Sequence, residues 1–386
     1  MQVKQIYELL NSVTKEVLGN TDLVTEDLTG LVDLGKEVFN QNAVDNYVKS
    51  LVNHIGKVVF VNRPYSGKIP SVLMDSWEFG SVLEKINADI PEAEENKSWE
   101  LTDGETYSQD VFHKPVVTAK FFNSKVTFEV AVSITERQVK ESFSNSEQLN
   151  AFYSMIYNAV EKSITIKTDS LIMRTINNMI AETLIADSAA FGTDYSTAST
   201  ARCVNLLKLY NTQKGTSLTA DKALTDPDFI KFASYTIGLY SDRLASISSA
   251  FNVGGKPRFT PKDNLHVVLL SDFEKAAKTY LYADSYNKDQ VLLPNAETIP
   301  FWQGSGKNYE FASTAHITIK ETNGQSVEIS GVLGVMFDRD ALGVCNIDRR
   351  VTTNYNAKAE FFNNYYKFDA GYFNDTNENF VVFFVA

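Results

Sequence analysis

Cysteine and histidine are scarce in this chain. Cys203 and Cys345 are the two cysteines, each alone in its surroundings (ARCVNL and GVCNID), and the four histidines, His54, His113, His266 and His316, are scattered. Four-coordinate zinc sites draw their ligands from clustered Cys and His, so none is expected, and both cysteines read as small buried hydrophobes. Long apolar runs are missing too. No stretch approaches the ~18 residues of a membrane span, and no early segment joins a basic start to an apolar core and a small-residue cleavage site. Positive charge is in deficit: 36 Lys and Arg face 48 Asp and Glu, a net charge of −12. Gripping phosphates takes a clustered excess of Lys and Arg, so a nucleic-acid reader is excluded, and the plain reading of the acidity is a solvated surface.

Catalytic and nucleotide motifs are also lacking. Gly304-Ser305-Gly306-Lys307 resembles the end of a phosphate-binding loop, but Phe301 stands where the first glycine is required and Asn308 where a hydroxyl would hold magnesium. There is no G-x-G-x-x-G, H-E-x-x-H or G-x-S-x-G pattern. Asp338 with Asp340, or Glu94 with Glu95, could be nominated as acid/base pairs, yet neither lies beside a substrate-binding group, and solvated loop charge is the better reading. No catalytic, cofactor-binding or metal residue is assigned.

What is present is scaffold. From Val126 to Ser133, apolar Val126, Phe128, Val130 and Val132 alternate with Thr127, Glu129, Ala131 and Ser133, the period of a strand with one covered face. After Ser144-Asn145, candidate caps, the apolar period becomes three or four through Leu149, Phe152, Ile156, Val160, Ile164, Leu171, Ile172, Ile176, Met179 and Ile180. No Gly or Pro interrupts residues 145–184, which predicts a helix of about 40 residues and roughly 60 Å. The following stretch, Ile185 to Ala201, is small and polar and reads as a loop.

Around this spine the chain is read in order. Residues 1–55 carry short amphipathic helices that need something to pack on. A strand at 57–61 and a Pro/Gly-rich link follow. SVLMDSWEFGSVLEKINADI, from Ser71 to Ile90, fits either an extended segment or a short helix kinked at Gly80. Next, Glu92, Glu94, Glu95, Glu100, Asp103, Glu105 and Asp110 stand against Lys97, with apolar content limited to Trp99, Leu101 and Tyr107. Strand patterns flank this acidic run, so a long projecting two-stranded hairpin is expected. Its charge is read as a surface that meets basic residues of another subunit, with Arg137, Lys140, Arg349 and Arg350 as candidate opposites. Asp226-Pro227 opens a helix expected to reach about Ala250, and strand and helix alternate to about residue 345, as in an inserted α/β domain. Strands rich in Phe and Tyr return from Val351 to Val385, and such large rigid aromatic area suits cores and extensive interfaces.

This order of elements, and above all VTFEVAVSITERQVKESF at 126–143, resembles the major capsid proteins of tailed bacteriophages, which share the Hong Kong 97 phage-type capsid fold. SVLMDSWEFGSVLEKI and KSWELTDG look like head proteins of phages that infect Gram-positive bacteria. The resemblance implies an α+β architecture: an N-terminal arm (1–55), a peripheral domain in three parts (56–83, 126–215 and 346–386) with a spine helix at 145–184, an extended loop (84–125), and an axial domain (216–345). It implies a subunit that assembles with itself into pentamers and hexamers in a host cytoplasm and becomes part of the virion. Scaffolding, portal and decoration or minor capsid proteins would be its partners, and double-stranded DNA would be enclosed without being read. Encapsulin-type compartment shells share the fold. An α/β enzyme or binding module without a recognisable motif is the reading from another class.

Overall fold

The computed structural model describes residues 11, 13–18, 46, 69–74, 83–91, 93–107, 110, 112–135, 146–283, 296–302, 317–320 and 326–386. Most of the arm, the strand expected at 57–61, the caps Ser144-Asn145 and the Gly304–Lys307 stretch lie outside the described residues.

Two sheets and one long helix organise the rest. β1 (Leu73–Met74), β4 (Lys125–Thr135), β11 (Leu342–Asn356) and β12 (Phe361–Asn374) form a four-stranded sheet in the order β1-β11-β12-β4. The expected alternation in β4 is observed, and the strand pairs antiparallel along β12 from Lys125 against Gly371 to Thr135 against Phe361. β5 (Cys203–Asn205), β6 (Leu265–Leu270), β7 (Glu297–Ile299), β10 (Val332–Asp338) and β13 (Phe380–Phe384) form a five-stranded sheet in the order β5-β13-β10-β6-β7. The strands after residue 346 therefore divide: β12 belongs to one sheet, and β13, five residues further along, to the other. A separate pair, β8 (Ile317–Lys320) and β9 (Ser326–Ile329), is antiparallel.

Helix α1 spans Ser146–Phe191, 46 residues, or about 70 Å at the α-helical rise. It runs seven residues past the expected end at Leu184. Its last turn is rich in alanine, and the helix stops before Gly192, whose φ of +63° is the left-handed conformation that glycine adopts readily. Its buried stripe, Val160, Ile164, Leu171, Ile172, Ile176, Met179, Ile180 and Leu184, follows the predicted spacing. Thr175 and Thr183 fall on the same stripe, and their hydroxyls donate to Leu171 O and Met179 O at 2.8 Å, so neither hydroxyl is stranded.

The five-stranded sheet is covered on both faces, which accounts for the continuous apolar runs of its central strands. Val382 and Phe384 of β13, Val268 and Leu270 of β6, and Val335 and Phe337 of β10 face the core under α1. Their neighbours Val381, Phe383, Val267, Leu269 and Met336 face a second core. That core is built by α2 (Leu206–Lys214), α4 (Pro227–Leu244) and α5 (Ser271–Ala283), with the short α3 (Ala220–Ala223) alongside. α4 opens as expected, Asp226 capping Phe229 N at 2.8 Å ahead of Pro227, but it ends at Leu244, not near Ala250. Serines 246, 248 and 249 follow, and Ser248 Oγ takes the Ala250 amide, the local competition that keeps serine out of helix interiors. The core under α1 also takes Leu342, Val344 and Ala370 from the four-stranded sheet, so one helix seals both sheets.

Ile176 is fully buried, whereas Ile156, near the start of the helix, is only half-buried. Ile176→Ala should cost about 2–5 kcal/mol, read as a lower midpoint in chemical denaturation, and Ile156→Ala well under half of that. Equal costs would mean that the first turns of α1 share the core.

Candidate interaction surface

β2 (Leu83–Ala88) and β3 (Val117–Phe122) pair antiparallel, from Leu83 against Phe122 to Ala88 against Val117. Such a ribbon has two faces, and here their polarity is reversed. Lys85, Asn87, Thr118 and Lys120 turn toward the protein body, with Leu83 and Phe122 at the base of the same face, where the Phe122 ring lies 5.1 Å from that of Phe373. Glu84, Ile86, Ala88, Val117, Ala119 and Phe121 turn outward, apolar but for Glu84, with Ile86 63%, Val117 56% and Phe121 65% exposed. A hairpin with one solvated face normally places these the other way round.

Beyond the ribbon the acidic run is not a ladder. Among the described residues from 89 to 116 no strand occurs, only a single 3-10 turn at Lys97–Trp99, so the long hairpin expected from sequence is six pairs with a broad tip. Pro91, Gly104 and the close acidic residues account for this, because proline cannot donate to a ladder and like charges facing one another across strands repel. Glu94, Glu95, Glu100 and Asp103 are exposed, and among them stand Trp99, 96% exposed, and Phe112, 85% exposed. Glu92 lies outside the described residues.

The inward face of the ribbon is held by charge. Lys85 Nζ lies 2.9 Å from Asp375 Oδ2 and 2.8 Å from Glu378 Oε1, and it also donates to Asp340 O at 3.0 Å. Lys120 Nζ lies 2.9 Å from Asp375 Oδ1, and Arg258 Nε is 3.7 Å from Glu378. Just past β2, Asp89 takes Lys256 Nζ at 2.7 Å. Both anchoring carboxylates come from the turn between β12 and β13, and the Asp375 side chain has no exposed surface. Burial opposes the charge on Asp375, but the hydrogen bonds from Lys85 and Lys120 outweigh it and hold the carboxyl below its ordinary range. Burial likewise works against Lys85, and its bonds to Glu378 and Asp375 more than reverse it, so its pKa is raised.

The candidate cations fall elsewhere. Arg137 and Lys140 lie outside the described residues. Arg350 donates to Asp369 at 2.5 and 3.3 Å and to Asp348 at 3.1 Å, across the four-stranded sheet, and these bonds lower the Asp369 pKa. Arg349 is half-buried against Asn346, its pKa lowered by burial with Glu161 opposing. Within the chain the structure brings neither arginine to the acidic tip. Asp338 is a buried structural acceptor, taking Thr260 Oγ1 at 2.7 Å and the Asp340 amide at 2.9 Å. Both cysteines are buried, as expected, and neither forms a disulfide. Among the described residues no cluster of three His, Cys, Asp or Glu could hold a metal ion, and no helix is long and apolar enough to cross a membrane. Lys85, Lys120, Arg258, Asp375 and Glu378 escaped the sequence reading. Asp375 to Asn379 carries a turn signal, and nothing in residue spacing ties it to a lysine some 290 positions earlier.

The fold is that of phage capsid chains. A chain from the capsid structure of Staphylococcus phage Andhra superposes with a TM-score of 0.51 at 9% identity, covering 84% of this chain and 86% of that one. A chain from the structure of the head fiber and inner core protein of native bacteriophage P68 gives a TM-score of 0.50 at 8% identity, with 85% and 86% covered. None of the curated proteins matches. Residues 10–384 match the family described as Phi29-like phage major capsid protein, and the chain belongs to that family. It is a bacteriophage capsid protein, a structural subunit of the capsid shell.

The charge cluster has a definite pH signature. Asp375 has a depressed pKa, so its contribution is complete above the ordinary aspartate value of about 4 and is lost as pH falls through the lower folded value. The Lys85 contribution is complete below its ordinary value of about 10.4 and is lost as pH rises through the higher folded one. Asp375→Asn keeps one acceptor oxygen for the Asn377 amide, removes the charge and turns an NH2 group toward Lys85. It should cost about 3 kcal/mol at neutral pH, and thermal unfolding should show its deficit against wild type closing as pH falls below about 4. A deficit independent of pH would mean that the charge of Asp375 does not stabilise the fold.

Proposed function

We propose that this subunit builds the icosahedral head of a tailed phage as pentamers and hexamers, with the Hong Kong 97 phage-type division of labour. The observation that carries this reading is the reversed hairpin, which presents Ile86, Val117, Phe121, Phe112 and Trp99 to solvent from a ribbon fixed at its base. Apolar surface of that extent is a cost for an isolated subunit and a source of contact energy for one that meets neighbours, at roughly 25 cal/mol per Å² covered.

In this reading the ribbon and its acidic tip, residues 84–125, are the extended loop that lies over an adjacent subunit. α1 is the spine, the four-stranded sheet is the core of the peripheral domain (56–83, 126–215 and 346–386), and the helix-covered sheet built around 216–345 is the axial domain. β5 with α2 after it, and the last strand, β13, would serve the axial side despite their positions in the chain. Glu94, Glu95, Glu100 and Asp103 meet cations of a neighbour, for which Arg137, Lys140, Arg349 and Arg350 are the candidates. A scaffolding protein, a portal and a decoration protein are the partners such a head requires. Double-stranded DNA is enclosed by a wall whose net negative charge lowers adhesion during filling.

Phe121→Ser combined with Val117→Ser changes only outward-facing positions. The double variant should keep the wild-type unfolding midpoint within about 0.5 kcal/mol while closed particles disappear from negative-stain micrographs. Glu94→Lys with Glu95→Lys should act in the same direction. Normal particles from both variants would remove the hairpin from the contact surface, and a uniform small oligomer from the wild-type chain under every assembly condition would overturn the shell reading itself.

A further inference from the structure

The turn that anchors the hairpin is also the place where the chain leaves one sheet for the other. β12 ends at Asn374 in the four-stranded sheet and β13 begins at Phe380 in the five-stranded one. A third element grips the same five residues. The loop after α4 sends the Gly254 amide to Thr376 O at 2.8 Å and takes the Phe380 amide on Phe251 O at 2.9 Å. Asn252, fully buried, reaches Asn379 at 3.5 Å, and Arg258 from the same loop faces Glu378. Contact at Gly254 is so close that a Cβ there would lie 2.0 Å from Asn377 Oδ1. Asn377 in turn donates its amide to Asp375 Oδ1, the oxygen that also receives Lys120.

We infer that the 375–379 turn is a mechanical coupling that makes the direction of the hairpin follow the position of the 251–258 loop and the helix-covered domain to which it belongs. The linkage is a short chain of contacts: Gly254 against Asn377, Asn377 onto the Asp375 carboxylate, and that carboxylate onto Lys85 and Lys120 in the ribbon. Movement at the loop displaces Asn377, and the carboxylate moves with it because both sit in one tight turn, Glu378 N donating to Asp375 O at 3.1 Å. The ribbon follows because its two lysines hold that carboxylate from both strands. A hairpin on a plain flexible hinge would move independently of the domain. In a shell whose identical subunits occupy different settings, this coupling would let the axial domain set the reach of the extended loop, a consequence that rests on the function proposed above; the coupling itself does not.

Hydrogen exchange of the full chain, followed by mass spectrometry, tests the coupling without reference to assembly. Lys256→Met first removes the direct bridge to Asp89, so that an effect of displacing Asn377 reaches the ribbon through the turn and not through that bridge. On that background Gly254→Ala, which pushes Asn377 aside, should raise exchange in the β2 and β3 segments by about tenfold, while α1 exchanges as before. Coupling is reciprocal, so Lys85→Met on the same background should raise exchange in residues 251–258 by a similar factor. Lys262→Met, which breaks only the exposed pair with Asp242, should do neither. Gly254→Ala that loosens its own loop and leaves the ribbon at wild-type protection overturns the inference. So does Lys85→Met that loosens the ribbon alone, and this second variant decides the matter if the first raises exchange across α1 as well.

Discussion

A two-stranded ribbon standing off a protein body has no core of its own, and in water such a ribbon is marginal at best. Apolar contact at its base is limited to Leu83 and to Phe122, whose ring lies 5.1 Å from that of Phe373, so further attachment is needed when most of the apolar face points outward, and the buried carboxylates of Asp375 and Glu378 supply it. A buried charge without partners is very costly, so once the turn places Asp375 beyond the reach of solvent, the two lysines that neutralise it are no longer optional. The carboxylate demands cations and the ribbon demands an anchor, and one contact meets both needs. Arg258 extends the same logic into the loop after α4.

The body that offers this anchor is rigid because a single sheet is packed on both faces. β13 is the clearest case: alternate residues of Phe380–Phe384 enter two different cores, so this strand fixes α1 on one side and the α2, α4 and α5 layer on the other. The turn before β13 inherits that rigidity. It cannot shift without moving a strand whose side chains are all buried, which makes it a sound place to attach a projecting element.

Much of this architecture was legible in the sequence, for physical reasons that differ between elements. β4 and α1 declare themselves because local periodicity is enough: Val126 to Val132 alternate and Val160 to Ile180 recur at helical spacing. The end of α1 lies beyond Leu184 because the alanine and isoleucine that follow carry no stop signal, and only Gly192, eight residues on, supplies one. The hairpin was visible as two strand patterns around an acidic run, but not its orientation. Lys85, Ile86 and Asn87 alternate equally well with either face inward, and the usual rule would have buried Ile86. The anchor was invisible, since the pairing of Lys85 with Asp375 is a tertiary fact. For the same reason the division of the C-terminal strands between two sheets could not be read from FFNNYYKF and FVVFF, which are equally good strands in either.

The reversed polarity also has a logic in energy. Were Ile86, Val117 and Phe121 turned inward, the ribbon would gain burial in the isolated subunit and present mainly Lys, Asn and Thr to its neighbours. Its contact energy would then be spent within the chain. With the charges inward, the attachment is directional, because ion pairs at 2.8–2.9 Å fix both strands to one turn, while the apolar area stays unburied until another surface arrives. The acidic tip works against premature contact: subunits whose tips all carry exposed carboxylates repel one another at close range unless cations are supplied opposite them. Attraction that is indifferent to partner and repulsion that is selective are combined in one short segment, and the ion pairs at its base determine where that segment is presented.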